Sequence, residues 1–355
     1  MTIAYINRIG TAVPSHDVHA AYLDFIRGAL PEGKARSVFQ RMAGRAGISH
    51  RYSVLHQEGM VEADAPEGGF YRRGGYPSTA SRMRVYASEA PKLAHRAIEN
   101  LDLTEEAYRI THLVMASCTG FVAPGIDQMI AKHLGLRPDL QRTMIGFMGC
   151  SAAVPALRVA QAAVLADPAA RVLVVNLELC TLHLQETEDV QTALSFMLFG
   201  DGCAAALVSA DPAGFALGDF KSALIPDSDD MITWHVGDQG FVMYLSGQVP
   251  SKIANALRED LGGLLRGEGT QAIDLWAVHG GGRTVLDAVE SGLNLAPECL
   301  ATSRAVLKDH GNMSSATIMF TLAQMLRDGG GDARGLAMAF GPGMMAETFR
   351  FSRVQ

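Results

Sequence analysis

A cysteine, a histidine and an asparagine set the chemistry this chain can do. Cys150 stands in "MIGFMGCSAAVPALRVAQAAV" (Met144–Val164), where an apolar run ends at a glycine and helical spacing starts directly after the thiol. A helix N-terminus lowers a thiol's pKa, so a thiolate is expected at this junction. His279 stands in "AVHGGG" and Asn312 in "DHGNMSS", each beside glycines that permit close backbone approach. A Cys–His pair yields a thiolate nucleophile. An imidazole and a carboxamide together can donate hydrogen bonds to an oxyanion or enolate. Taken singly, a cysteine is usually a small core residue, "HGGG" is only a turn and "HGN" only a helix cap. Their placement in a repeated pattern favours catalysis.

That pattern is one of alternating strands and helices. Thr111–Ser117, Arg142–Met148, Arg171–Leu179 and Cys203–Ala210 read as strands, with "PGIDQMIAKHLGL" and "SAAVPALRVAQAAVLAD" as helices between them. Pro155 falls near the second helix's first turn, where proline is tolerated. Such alternation implies a buried, mostly parallel sheet. "EGGFYRRGGYPS" (Glu67–Ser78) is a loop by its glycines and prolines. The helix after it starts at Ser/Thr cap candidates. The later part of the chain repeats the scheme. "MASCTG" pairs with "WAVHGG", "MGCSAAVPAL" with "HGNMSSATIM", and "RVLVVNLE" with "GLAMAFGP"; Cys118 and Cys150 are 32 residues apart, His279 and Asn312 are 33 apart. Matched spacing of this kind indicates a duplicated unit. The expected halves are 1–215, carrying the cysteine, and 216–355, carrying the histidine and asparagine. Cys150, His279 and Asn312 would each sit at a strand end and converge near the pseudo-twofold axis, on the side where α/β sheets bind ligands.

Composition bounds the rest. The chain has 355 residues, 48% apolar and 19% charged, enough for a sizeable core. A net charge of −7 gives no case for nucleic acid. No apolar run reaches the ~18 residues that span a bilayer, and "MTIAYINRIGTAVP" lacks the signal-peptide pattern. Stable membrane insertion is therefore not expected. Five cysteines without CxxC spacing fit a reducing cytoplasm and argue against a metal site or a disulfide framework. Seventeen methionines fit an adaptable interior.

"GNMSSA", "LFGDGCAAALV" (Leu198–Val208), the closing "FGPGMMAETFRF" (Phe340–Phe351) and "FQRMAGRAGISHRY" (Phe39–Tyr52) resemble the type III polyketide synthases, the family of chalcone synthase, in the same order along nearly the whole chain. The resemblance implies a thiolase-like α/β fold, two duplicated halves in a five-layer αβαβα arrangement. It also implies a homodimer that uses CoA thioesters as substrates and no further cofactor. By the same resemblance Cys150 carries the starter and the growing chain, His279 holds the thiolate and polarises the extender carbonyl, and Asn312 is its partner in malonyl decarboxylation. Phe199 would gate the cavity. Arg41, Arg45 and Ser314 would contact CoA, with Val38 standing at a third, normally basic position. Departures are informative. "CSAAVPAL" lacks the phenylalanine and glycine pair of the plant enzymes, "HGGGR" lacks their proline, and Met243 replaces the second gate phenylalanine. "SCTGFVAPGID", "ELCTLHLQ" and "DDMITWHVGDQG" are more similar to bacterial alkylpyrone and alkylresorcinol synthases, which implies that Cys118, His183 and Trp234 line the cavity.

The implied activity loads an acyl-CoA, expected to be fatty, on Cys150, extends it with malonyl-CoA and closes an alkylpyrone or alkylresorcinol ring. Two alternatives use the same residues. A ketoacyl-ACP synthase III-like enzyme would condense once on an acyl carrier protein. A non-catalytic acyl-CoA binder would be favoured by loss of one of the three residues, and all three are present.

Overall fold

The computed structural model describes residues 2–56, 69–103, 106–260, 263–265 and 267–354. Of the expected loop Glu67–Ser78, Glu67 and Gly68 lie outside these residues; the remainder is turn and coil up to Ser78, whose hydroxyl caps the following helix by accepting from the Ser81 N–H. In chain order the first half comprises β1 (Tyr5–Ala12), β2 (His16–Asp17), α1 (His19–Ala29), α2 (Lys34–Ala43), β3 (Tyr52–Ser53), α3 (Thr79–Leu101), β4 (His112–Ser117), α4 (Ile126–His133), β5 (Gln141–Gly146), α5 (Ala153–Ala166), β6 (Val172–Leu179), α6 (Val190–Phe196) and β7 (Asp201–Ser209). The second comprises β8 (Gly214–Leu224), β9 (Ile232–Gly237), β10 (Gly240–Leu245), α7 (Val249–Arg258), β11 (Leu275–Val278), α8 (Arg283–Leu293), α9 (Ala301–His310), α10 (Ala316–Asp328), β12 (Ala333–Gly341) and β13 (Met345–Val354).

Nine of these strands form one sheet in the order β11-β12-β13-β8-β1-β7-β6-β4-β5. Reading outward from its middle, β1-β7-β6-β4-β5 mirrors β8-β13-β12-β11, so the duplication read from spacing is present in the topology. The two half-sheets join where Tyr5 pairs with Ala216 and Ile6 with Phe215. The position 215/216, expected to divide the halves, falls inside β8.

Two expectations are corrected. Only β4–β5, β4–β6 and β11–β12 pair in parallel; β1–β7, β1–β8, β6–β7, β12–β13 and β8–β13 are antiparallel. A parallel return needs a crossover that packs on the sheet face. After β6 the chain instead leaves the sheet to build the cavity wall, and after β12 it turns back at Pro342–Met344. The second correction concerns Asn312. It follows α9 rather than a sheet strand, and its backbone forms an isolated bridge with Phe199.

Strand residues alternate between two cores, as period-two geometry requires. Leu113, Met115, Leu173, Val175 and Leu207 face an outer core with Leu93, Ala97 and Ile98 of α3; Trp276, Val278, Leu336 and Met338 do the same beneath Ile253 of α7 and Leu286 and Val289 of α8. Val114, Ala116, Val174, Ala206, Ala337 and Ala339 face an inner core filled by α5 and α10. Both of those helices contact both half-sheets. The result is the expected five-layer α/β arrangement, with α5 and α10 in the middle. Gly149–Ala166, which includes α5, is the one stretch among the described residues long and apolar enough to cross a membrane. Here it is a core helix, apolar on most sides because it is covered on most sides.

Candidate active site

Cys150 is placed by a sharp turn. After β5 the backbone takes positive φ at Phe147 (56°) and at Gly149 (59°), then makes one 3₁₀ turn over Gly149–Ser151 before α5 begins. A Cβ at position 149 would lie 2.3 Å from Cδ of Pro342, so the glycine lets the turn at the end of β12 press against the thiol's own turn. The "FGPG" motif thereby braces the Cys150 turn of the other half. Cys118 supports the same turn from the opposite side, its Sγ accepting from the Gly149 N–H at 3.1 Å.

His279 follows β11 and continues its ladder, donating its backbone N–H to the Met338 carbonyl at 2.8 Å. The residue is 1% exposed, and neither ring nitrogen has a hydrogen-bond partner among the described residues. Buried polar atoms are costly when unpaired, so both nitrogens are available to a bound oxygen or sulfur. Asn312 is held on two sides: Oδ1 accepts from the Ser314 N–H at 2.8 Å and Nδ2 donates to the Gly281 carbonyl at 3.2 Å. These bonds fix which amide atom is which. Both lie 3.9 Å from the Cys150 Sγ.

The protonation state differs from the one expected of a helix N-terminus. Burial pushes the Cys150 thiol up to about 11, against hydrogen bonds from Ser314 and Asn312 that pull it down, while the Glu178 charge adds to the rise. Burial lowers His279 to about 4. Desolvation outweighs the turn's dipole, and the resting pair is a thiol and a neutral imidazole.

Cys150, His279 and Asn312 share one cavity, about 850 Å³ including its open mouth. Phe199, Met243, Cys118, Trp234 and Ser314 also line it, so the structure brings these sequence candidates together. Met243 and Trp234 are directly opposed across the β9–β10 hairpin, which forms one wall. The Trp234 Nε1–H donates to the Cys118 carbonyl at 2.8 Å. His183 is different. It stands behind the wall: Nε2 bonds the Thr119 carbonyl at 2.7 Å, Nδ1 accepts the Phe241 N–H at 3.0 Å, and the ring stacks on Phe241. Burial lowers its pKa to about 3, so it is neutral, as those two bonds require. Ser314, expected at CoA, lines this cavity with its side chain hydrogen-bonded to the Cys150 thiol. Arg41 and Arg45 are exposed at and just beyond the end of α2, outside the cavity lining. Arg283 ties that turn to the cavity's rim by donating to the Arg45 carbonyl at 3.3 Å.

Glu178 was not among the sequence candidates. It is fully buried at the end of β6, accepting from the Cys118 N–H, the Thr119 hydroxyl and the Ser315 hydroxyl, and burial pushes it up to about 7. Its signal was a single carboxylate in the run "VLVVNLEL", apolar apart from it and Asn176.

Residues 2–212 match the N-terminal domain of chalcone and stilbene synthases, and residues 219–355 match their C-terminal domain. The chain is 34% identical to bisdemethoxycurcumin synthase of Oryza sativa subsp. japonica, over 97% of this chain and 91% of that protein. Among solved structures it is similar to 1,3,6,8-tetrahydroxynaphthalene synthase, a bacterial type III polyketide synthase from Streptomyces coelicolor, with TM-score 0.86 and 30% identity over 100% of both chains. It is also similar to PKS-I of the brown alga Ectocarpus siliculosus, with TM-score 0.89 and 28% identity over 100% of this chain and 99% of that one.

Proposed function

The chain belongs to the chalcone and stilbene synthase family of type III polyketide synthases, and from that premise we propose that it condenses a fatty acyl-CoA starter with malonyl-CoA and closes an alkylpyrone or alkylresorcinol ring. The observation that carries this reading is an apolar cavity with Cys150, His279 and Asn312 gathered in its wall. The Cys150 sulfur attacks the acyl-CoA carbonyl. Its proton passes to the neutral His279, and CoA leaves as a thiol, leaving an acyl thioester on the enzyme. Malonyl-CoA follows, with its thioester oxygen against His279 and Asn312. Loss of CO₂ puts the carbanion's charge on that oxygen, where donors already in place stabilise it. The carbanion then attacks the Cys150 thioester and expels the Cys150 sulfur as a thiolate, which leaves the extended chain on CoA; the thiolate takes that chain back for the next round, with CoA again the leaving group. Two or three rounds and ring closure complete the product. Arg41 and Arg45 offer the CoA phosphates cationic partners at the surface.

Support for an alkyl starter comes from the walls. Trp234 fills one side, where overpacking would exclude a bulky aromatic head. Met243 is flexible and repacks around a tail. Ile232, Leu245, Val249 and Ile253 continue the apolar lining. Each buried methylene is worth ~0.8 kcal/mol, so kcat/KM should rise stepwise from acetyl-CoA through octanoyl- and lauroyl-CoA to a cutoff set by the cavity's end. Comparison of these with palmitoyl- and coumaroyl-CoA, with products read by mass spectrometry, tests the reading. A preference for coumaroyl-CoA, or no gain with chain length, removes the alkyl-tail assignment and leaves the condensation standing.

The same proposal includes a homodimer. Strand β5 is one of the two edge strands of the sheet, and Phe121, Met144 and Met148 are exposed large apolar residues on and beside it. Uncovered edges with apolar side chains pair or aggregate. Sedimentation at micromolar concentration should give twice the chain mass; a monomer would remove this part.

A further inference from the structure

Arg51 stands among polar neighbours in "SHRY" and is only 2% exposed. Its Nη1 donates to the Phe199 carbonyl at 2.5 Å and to the Phe196 carbonyl at 3.3 Å, and its Nε bonds His19 Nδ1 at 2.9 Å. The guanidinium lies over the Tyr22 ring, 4.5 Å from its centroid. Among the described residues no carboxylate is in ion-pair contact with it, although the charges of Asp201 and Asp17 favour its protonated form from farther off; its direct partners are neutral. Burying a charge on neutral partners is expensive, so the arrangement calls for a reason beyond packing. Part of it is local. Phe196 ends α6, and a helix C-terminus favours a cation.

The remainder lies in what those carbonyls position. Phe199 and Asn312 form a bridge: the Asn312 N–H donates to the Leu198 carbonyl at 2.8 Å, and the Gly200 N–H donates to the Asn312 carbonyl at 2.9 Å. Gly311, at φ 68°, lies against the Arg51 stem; a Cβ there would be 2.8 Å from Arg51 Cγ. The Ser49 and His50 N–H groups both donate to the Lys308 carbonyl, in the last turn of the helix that leads to Asn312. One side chain thus braces both segments of the bridge.

We propose that Arg51 is a positioning residue for condensation: its fork holds the Phe199 carbonyl, and through the bridge it sets the Phe199 ring at the cavity and the Asn312 amide beside Cys150. This rests on the reading of Asn312 given above. Lysine keeps the charge but not the rigid fork. In Arg51→Lys, acyl transfer to Cys150, followed by intact-protein mass, stays within about twofold of wild type. Malonyl-CoA decarboxylation and chain extension fall at least about tenfold in kcat, the scale of a misplaced catalytic group. A double-mutant cycle separates this from general damage. In an Asn312→Ala background, Arg51→Lys costs less than about twofold more. If Arg51→Lys does not fold, by melting temperature and circular dichroism, Arg51→Gln is judged by the same criteria. Equal loss of loading and extension, wild-type extension, or full additivity with Asn312→Ala overturns the proposal alone. Failure of the wild-type enzyme to decarboxylate malonyl-CoA overturns the functional reading, and the Arg51 proposal with it.

Discussion

Cys150→Ala is expected to abolish transfer of acyl groups from acyl-CoA to the protein, while malonyl-CoA decarboxylation persists because His279 and Asn312 remain. No other thiol is placed to take over. The Cys118 Sγ is engaged with the Gly149 backbone, and burial raises that thiol well above its usual range. Cys180 lines the cavity, but burial and nearby carboxylates raise it likewise. Intact-protein mass after incubation with acyl-CoA measures the effect directly. An acyl-enzyme forming at the normal rate in Cys150→Ala would show that the nucleophile is another residue, and Cys118 would be examined next.

The second large effect is on extension. Asn312→Ala and His279→Ala are each expected to slow malonyl decarboxylation and chain extension by ~10²–10³, the usual cost of one oxyanion donor. They should differ at loading. Asn312 contacts the thiol only at 3.9 Å, whereas His279 is the nearby base able to take the proton of a thiol whose pKa is raised. Iodoacetamide alkylation of Cys150 near neutral pH should therefore slow more in His279→Ala than in Asn312→Ala. Because burial lowers His279 to about 4, the imidazole stays a proton acceptor until pH falls toward that value. Loading should accordingly lose its base near pH 4 rather than near 6.5. Unchanged alkylation in both variants would remove His279 from the loading step.

Much of this was legible in the sequence because apolar runs bounded by glycine carry strand length and position. The four first-half strands begin and end within two residues of where they read, two of the three paired segments occupy mirrored places in the sheet, and the third pair opens the two middle-layer helices. The cysteine, histidine and asparagine were legible because each adjoins glycines at matched spacing. What was not legible depends on long-range packing. Strand direction is set by connections, and the antiparallel returns of β7 and β13 leave no mark in either strand's composition. In the β9–β10 hairpin, β9 ("ITWHVG") is half-buried to exposed and interrupted by a histidine, and the "FVMYL" run of β10 carries no sign of which strand it pairs with. His183 reads as a cavity residue, yet one more layer of packing puts it behind Trp234. Arg51 stands among polar neighbours, with no apolar pattern to mark it as buried. Only the fold turns it inward.

The central position of α5 has a consequence for how the chain is made. This helix emerges from the ribosome with β4–β7 able to cover one side, but α10, its neighbour in the middle layer, begins only at Ala316. At typical synthesis rates the roughly 150 intervening residues take on the order of ten to thirty seconds. Throughout that interval the most apolar helix in the protein presents an uncovered face. Its alanine-rich surface, "AVPALRVAQAAVLA", has few bulky side chains to offer a wrong partner. The small residues that let two half-sheets close over the helix thus also limit its stickiness before they can.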